Sequence, residues 1–166
     1  MKKMLLGLSF VFIIGLALPC NVSMPVENAV TADYHPQSFW YYPWGKSVTH
    51  KGVDIFAKEG TNVHPASGGL VVYSGSLSMG GEVILILSSK WRLYYYAHLS
   101  ERNTSSWHWV NKTDLIGRVG STGNAIGKPP HLHFSIITLI PYPWRIDNSH
   151  QGWKKMFFLN PISYFN

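Results

Sequence analysis

The chain has 166 residues and a mass of 18.7 kDa, which is enough for one domain with a substantial core and too little for two of ordinary size. Hydrophobic residues make up 46% and charged residues 13%, and this balance excludes an intrinsically disordered chain. The net charge of +6 is not gathered into a basic run, so it gives little support for nucleic-acid binding. A single cysteine excludes an internal disulfide.

The N-terminus has the layout of an export signal. Lys2 and Lys3 precede an apolar run from Met4 to Leu18, which is shorter than the roughly 20 residues that a membrane-spanning helix needs. We predict that residues 1–20 are a signal peptide or an N-terminal anchor.

Export carries several expectations about location and partners. The protein is expected in the periplasm or cell envelope, or secreted, with a possible membrane tether through its N-terminus, and export disfavours a nucleic-acid partner. Cys20 follows Pro19, whereas a lipid-modified cysteine favours a small residue before it, so the sequence favours a residue near a cleavage site over a lipidated cysteine. Residues 21–33 are small and polar without periodicity, and we predict a linker there. The sequence does not fix the oligomeric state.

Residues 34–166 are predicted to form one mostly β domain. Tyr34–Trp44 is rich in aromatic residues and contains two prolines, which is typical of a packed loop. Gly80-Gly81 indicates a hairpin, and Gln151–Asn160 is predicted as a short helix. The predicted strands are Val53–Ala57, Gly69–Ser74, Glu82–Leu87, Arg92–Leu99, Leu115–Val119 and Leu132–Ile140. Short strands separated by Gly and Ser favour an antiparallel sandwich or a half-open barrel.

Two short patterns suggest a metal site. His131 and His133 form an H-x-H at the start of an apolar run, so both rings point to one side of a strand. His50 and Asp54 form an H-x-x-x-D, and a straight strand would hold them about 13 Å apart. Gly52 between them permits the bend that one ion would require. Three nitrogen and oxygen ligands with an open fourth position are typical of catalytic zinc, although spacing alone does not decide which of His131 and His133 binds the metal.

Hydrolysis also needs a proton acceptor beside the metal. The sequence has no H-E-x-x-H, so no helical glutamate is available for this role. His98 ends the strand-like run Tyr94–Ala97, and with His131 it is a candidate base, because neutral imidazole accepts and returns a proton near pH 7.

At these residues the sequence resembles the lysostaphin-type (LytM-like) zinc endopeptidases, which cut peptidoglycan. The similarity is collinear over roughly Ser47 to Phe134, with a further match at Asn160-Pro161. The matching segments are His50-Lys51-Gly52-Val53-Asp54-Ile55, Lys58-Glu59-Gly60-Thr61, Gly69 to Gly75, Tyr96-Ala97-His98-Leu99-Ser100, Ile116 to Gly123 and His131-Leu132-His133-Phe134.

The resemblance implies a fold, a cofactor and roles for five residues. It implies one Zn²⁺ per chain held by His50, Asp54 and His133, with His98 and His131 as the catalytic pair. It also implies a small antiparallel β domain with a long groove, and peptides of peptidoglycan cross-links or stems as substrates. Ser135 stands where the family often has an acidic residue, and Lys128-Pro129-Pro130 lengthens the segment before the H-x-H.

The substrate-binding residues and the exact activity stay open at this level. Tyr96, Asn124 and Trp44 are candidate substrate-binding residues, although Trp44 is equally compatible with a small core beneath the loops. The leading hypothesis is a zinc peptidoglycan endopeptidase. The alternatives are a non-catalytic wall-binding or activator module of the same fold, and a zinc amidase or carboxypeptidase acting on the same polymer.

Overall fold

The computed structural model describes residues 2–165 and consists mainly of short antiparallel strands. An apolar α-helix, α1, spans Lys2–Ala17. The strands are β1 (Val53–Phe56), β2 (Asn62–Val63), β3 (Gly69–Leu77), β4 (Gly81–Ser88), β5 (Arg92–Arg102), β6 (Trp109–Val110), β7 (Gly117–Val119), β8 (His131–Thr138) and β9 (Phe158–Leu159). Short 3₁₀ turns connect several of them.

The strands form one open antiparallel sheet. Its main path runs β1-β8-β5-β4-β3-β6, while β7 joins β2 to β5 and β9 pairs with β8. The predicted mostly β, antiparallel fold is therefore confirmed. Gly80 lies in the turn between β3 and β4 and Gly81 begins β4, as the hairpin prediction required.

Alternation along the central strands separates a core face from an open face. On β5, Tyr94 and Tyr96 are wholly buried in the core, and on β8 Leu132 and Phe134 are buried on the same side. Successive side chains of a strand point to opposite faces. The residues between these core positions therefore line the opposite face, where the candidate site lies.

Three short strands were not predicted from the sequence. Strands β2, β6 and β9 have two residues each, too few to show an alternating pattern. The short helix predicted at Gln151–Asn160 is confirmed in part: a 3₁₀ helix spans Gly152–Phe157, and only Phe158 and Leu159 belong to β9. Phe158 and Leu159 pair with β8, so the helix ends at Phe157 and is shorter than predicted.

The segment predicted as a linker packs against the sheet. Val26 is buried and pairs with Val63, and the Glu27 amide donates to the Asn62 carbonyl. Closer to the N-terminus, Cys20 Sγ lies 3.1 Å from the Tyr94 hydroxyl, within hydrogen-bond distance. In the described residues, no helix combines the length and apolar character needed to cross a bilayer.

Candidate active site

Asp54 and His133 are neighbours across two paired strands. Antiparallel pairing of β1 with β8 sets Asp54 directly opposite His133, and β8 in turn sets His133 opposite Ala97 of β5. Directly opposed residues have Cβ atoms about 5 Å apart on one face. The register of the sheet therefore brings the carboxylate and the imidazole together, and the small side chain of Ala97 leaves space beside them.

His50 is positioned by the aromatic loop. The Trp40 amide donates to the His50 carbonyl, the His50 amide donates to the Tyr41 carbonyl, and His50 Nδ1 donates to the Ser38 carbonyl at 3.0 Å. The Trp44 ring stacks on the His50 ring with centroids 4.2 Å apart. The loop thus fixes both the backbone and the ring of a buried histidine.

Gly52 supplies the bend that the sequence requires between His50 and Asp54. A Cβ at Gly52 would collide with the Phe134 carbonyl oxygen and the Ser135 hydroxyl. The backbone can pass this close to β8 only without a side chain, and the close passage lets His50 reach Asp54.

Three acceptor atoms converge at one point. His50 Nε2 lies 3.0 Å from Asp54 Oδ1, His133 Nδ1 lies 2.8 Å from that oxygen, and the two nitrogens are 3.1 Å apart. Ligands about 2.1 Å from a tetrahedral zinc would be roughly 3.4 Å apart, so the set is close to the required size. In the described part of the chain, no fourth His, Cys, Asp or Glu joins this set.

The chemistry of these donors fits a cation. Because His50 Nδ1–H donates to a carbonyl, its Nε2 carries a lone pair when the ring is neutral. That lone pair faces a carboxylate oxygen and a second imidazole nitrogen. His133 Nε2 lies 3.0 Å from the Ser135 hydroxyl, which can accept the other ring proton. A positive charge at the centre would satisfy all three acceptors.

The pKa values at the site respond to burial and mutual contacts. Burial alone would raise the pKa of Asp54, but hydrogen bonds and charge from His133 and His50 hold it well below its ordinary value. Burial lowers the pKa of His133, with Asp54 opposing that effect. These directions favour an ionised carboxylate and a neutral imidazole, the forms that bind metals.

His98 reaches the site through a β-bulge. Strict alternation would point His98 into the core with Tyr94 and Tyr96, but the pairing of β4 with β5 shifts register before Leu99. His98 has a φ of +64°, a left-handed conformation that is unusual outside glycine. The bulge places His98 on the open face with Ala97, which is a common use of bulges near active sites.

Both candidate bases present Nε2 to the groove. His98 Nδ1 donates to the Thr122 carbonyl at 2.9 Å, and His131 Nδ1 donates to the Pro129 carbonyl at 2.8 Å. Their rings are 5.1 Å apart, and His131 Nε2 is 3.9 Å from Asp54 Oδ2. Burial, followed by the neighbouring His133 and His131, lowers the pKa of His98 to about 4. His98 is therefore a neutral proton acceptor at neutral pH.

The site lies in a groove with two arms. The first arm is a cavity of about 390 Å³ that includes His98, His131 and Asn124, and the second, of about 570 Å³, continues past His50 and Ser135. Trp44, Ser47, Tyr95 and His133 line both arms. The site therefore lies where the two cavities adjoin.

Of the three candidate substrate-binding residues, two line the groove. Trp44 lies where the arms meet, and Asn124 lies on the wall of the first arm. Tyr96 does not line it: the side chain is wholly buried, and its hydroxyl accepts the Ala66 amide proton at 2.8 Å. The groove residue is Tyr95, one position earlier and on the opposite face of β5. This assignment of Tyr96 is corrected because strand parity puts it in the core.

Several supporting residues escaped sequence reasoning. The carbonyls of Ser38, Thr122 and Pro129 orient rings through main-chain atoms, which carry no side-chain signature. Ser135 follows His133 by two residues, so strand parity could have placed its hydroxyl beside the imidazole.

Comparison with known proteins agrees with this geometry. The model of Peptidase family M23 matches residues 48–144. Lysostaphin of Staphylococcus simulans is 38% identical over 113 residues, covering 65% of this chain and 22% of that protein. The DD-carboxypeptidase/endopeptidase Mpg of Neisseria gonorrhoeae is 34% identical over 85 residues, covering 51% and 19%. The crystallised catalytic domain of lysostaphin superposes with a TM-score of 0.60 at 29% identity, covering 76% of this chain and 87% of that domain.

An open antiparallel sheet carrying a His–Asp–His set in a groove defines a small β-type metallopeptidase domain. The chain belongs to Peptidase family M23, whose members are zinc-dependent metallopeptidases. It spans about a fifth of the length of the two curated relatives described above.

Proposed function

We propose that this protein is an exported zinc endopeptidase that hydrolyses peptide bonds in peptidoglycan cross-links or stem peptides. The observation that carries the proposal is the convergence of His50 Nε2, Asp54 Oδ1 and His133 Nδ1 in the groove, beside two further histidines that present Nε2. Family membership supports the zinc and the peptidase activity. The proposed site holds one zinc per chain.

The chemistry divides between the metal and the two histidines. Bound zinc would polarise the scissile carbonyl and lower the pKa of water toward 7. One of His98 and His131 would accept the water proton at Nε2, since in each ring Nδ1–H already donates to a carbonyl. The same Nε2–H would then stabilise the developing oxyanion or pass the proton to the leaving amine.

The presence of a cavity on each side of the site favours cleavage within a peptide. A carboxypeptidase needs to recognise a chain end close to the scissile bond, whereas here cavity extends from the site in two directions. All five residues implied by the family resemblance lie together, which also favours an enzyme over a non-catalytic wall-binding module. We propose Trp44 and Asn124 as substrate contacts.

The proposed location follows from the substrate. The polymer lies outside the cytoplasmic membrane, so we propose that residues 1–20 direct export to the periplasm or cell envelope and are either removed or kept as a tether. The cofactor and partner are then Zn²⁺ and the peptides of the wall.

Digestion of purified peptidoglycan tests this proposal. The zinc-loaded protein should release muropeptides with newly formed amino termini, detectable by mass spectrometry. A chelator should reduce release at least about a hundredfold, because the metal contributes several kcal/mol of charge stabilisation, and added zinc should restore it. Release that is insensitive to chelation, or products cleaved only at an amide to sugar or at a terminal residue, would contradict an endopeptidase.

A further inference from the structure

The second arm of the groove is lined by lysines without an acidic partner. Lys46, Lys51 and Lys154 face this cavity, and no Asp or Glu is among the described residues that line it. The first arm differs, because it contains Asp54 and a single lysine, Lys128. The groove is therefore asymmetric in charge about the metal site.

Lys51 is held in place but keeps donor capacity. Its ammonium donates to the carbonyls of Ser47 at 2.8 Å and Thr49 at 3.2 Å, and it lies 5.8 Å from the centre of the Trp40 ring. An ammonium has three N–H donors, so one remains for a ligand. The side chain is only partly exposed, which strengthens any charge contact it makes relative to one in open water.

Lys154 adds a second positive charge to the lining of this cavity. It lies in the turn Gly152–Phe157, with its ammonium 5.4 Å from the Trp153 ring centre. The adjacent Lys155 pairs with Asp147, whereas among the described ion pairs none includes Lys154, Lys51 or Lys46. Three ammonium groups around one cavity repel each other, so a bound anion would relieve this repulsion.

We propose that the second arm binds a carboxylate of the substrate peptide, so that the enzyme prefers anionic peptides to neutral ones at the position next to the metal site. This inference rests on the proposed function and deepens it by naming the substrate class. A free α-carboxylate and an acidic side chain share this chemistry, and substrates can distinguish them. A neutral glycine peptide would leave the cationic arm without a partner.

Matched peptides provide the test. Two peptides with the same scissile bond, one carrying a carboxylate and the other the corresponding carboxamide, are compared for kcat/KM and for equilibrium Kd. The amide is introduced at the α-carboxyl in one series and at the side chain in another. The variants are Lys154→Met and Lys46→Met, which lie farther along the chain from a metal ligand than Lys51 does. Lys112→Met, in an exposed turn outside the groove, is the control.

In wild type and in the control, kcat/KM should be about tenfold higher for the carboxylate peptide than for the carboxamide peptide, as expected for a charge-assisted contact at a partly buried site. In Lys154→Met, kcat/KM for the carboxylate peptide should fall while kcat/KM for the carboxamide peptide stays unchanged, so most of the preference is lost. High salt should reduce the preference of wild type. Equal kcat/KM and Kd for both peptides would overturn the inference and leave the proposed function intact. Failure to cut either peptide would count against the function, and the Kd comparison would then decide the inference alone.

Discussion

Replacing His133 with alanine is expected to remove bound zinc and to lower wall-peptide hydrolysis at least about a thousandfold. His133 Nδ1 lies 2.8 Å from Asp54 Oδ1 and 3.1 Å from His50 Nε2, so its loss leaves two ligands where the proposed site needs three. The transition-state charge would lose several kcal/mol of stabilisation, and each 1.36 kcal/mol corresponds to a factor of ten. Metal content by mass spectrometry and initial rates measure both effects.

A histidine outside the groove provides the matched control. His108 is exposed and bonds to the neighbouring Ser105, so His108→Ala should keep one zinc per chain and wild-type rates. Zinc should also raise the melting temperature of wild type and of His108→Ala, because a ligand that binds only the folded state stabilises it. Zinc should leave the melting temperature of His133→Ala nearly unchanged. A His133→Ala protein that retains stoichiometric zinc and full activity would refute the ligand assignment.

Changing His98 or His131 should separate catalysis from metal binding. His98→Asn and His131→Ala are each expected to lower kcat by about 10²–10⁴, the usual range for loss of general acid–base help, while zinc content stays at one per chain. Asparagine is chosen at His98 because the residue has a φ of +64°, which asparagine adopts more readily than alanine. Thermal melts confirm that each variant folds.

The double variant tests whether the two histidines act in one step. If both handle the same proton, the losses should be far from additive, as for residues that work as a unit. Rates should also stay independent of His98 protonation above about pH 5, because burial and the nearby histidines lower the pKa of His98 to about 4. Unchanged kcat in both single variants would remove these residues from the mechanism.

Most of the fold could be predicted from short apolar runs that are separated by Gly and Ser. β4 and β5 contain the continuous runs Val83–Leu87 and Leu93–Ala97, and β8 contains Leu132–Phe134 and Ile136-Ile137, so the existence and approximate limits of these strands could be predicted. The two-residue strands β2, β6 and β9 could not, because they are fixed by pairing with β7, β3 and β8. The same effect limits the helix predicted at Gln151–Asn160 to Gly152–Phe157, because Phe158 and Leu159 pair with β8.

The candidate site was accessible from the sequence in part. H-x-H parity explains why His131 and His133 share a face, and Gly52 indicated the bend before Asp54. The distance from His50 to Asp54 depends on hydrogen bonds from the aromatic loop, and a sequence pattern does not show which carbonyl orients a ring. Assigning His133 rather than His131 to the metal required the resemblance to a family.

Parity also explains the two residues of β5 that behave unexpectedly. Tyr96 was expected in the groove and lies in the core, whereas Tyr95 lines both arms. His98 follows Tyr96 by two residues and would share its face in a regular strand. The bulge before Leu99 reverses this. An irregularity in the pairing of β4 with β5 therefore brings the candidate base to the candidate metal site.

In the proposed enzyme, three side chains bind one zinc and leave a coordination position open. The most direct measurement is an anomalous-scattering map at the zinc edge from crystals of the zinc-loaded protein. We expect one peak about 2.0–2.2 Å from His50 Nε2, Asp54 Oδ1 and His133 Nδ1, with no fourth protein ligand. A peak elsewhere, or a fourth side chain completing the tetrahedron in active protein, would contradict it.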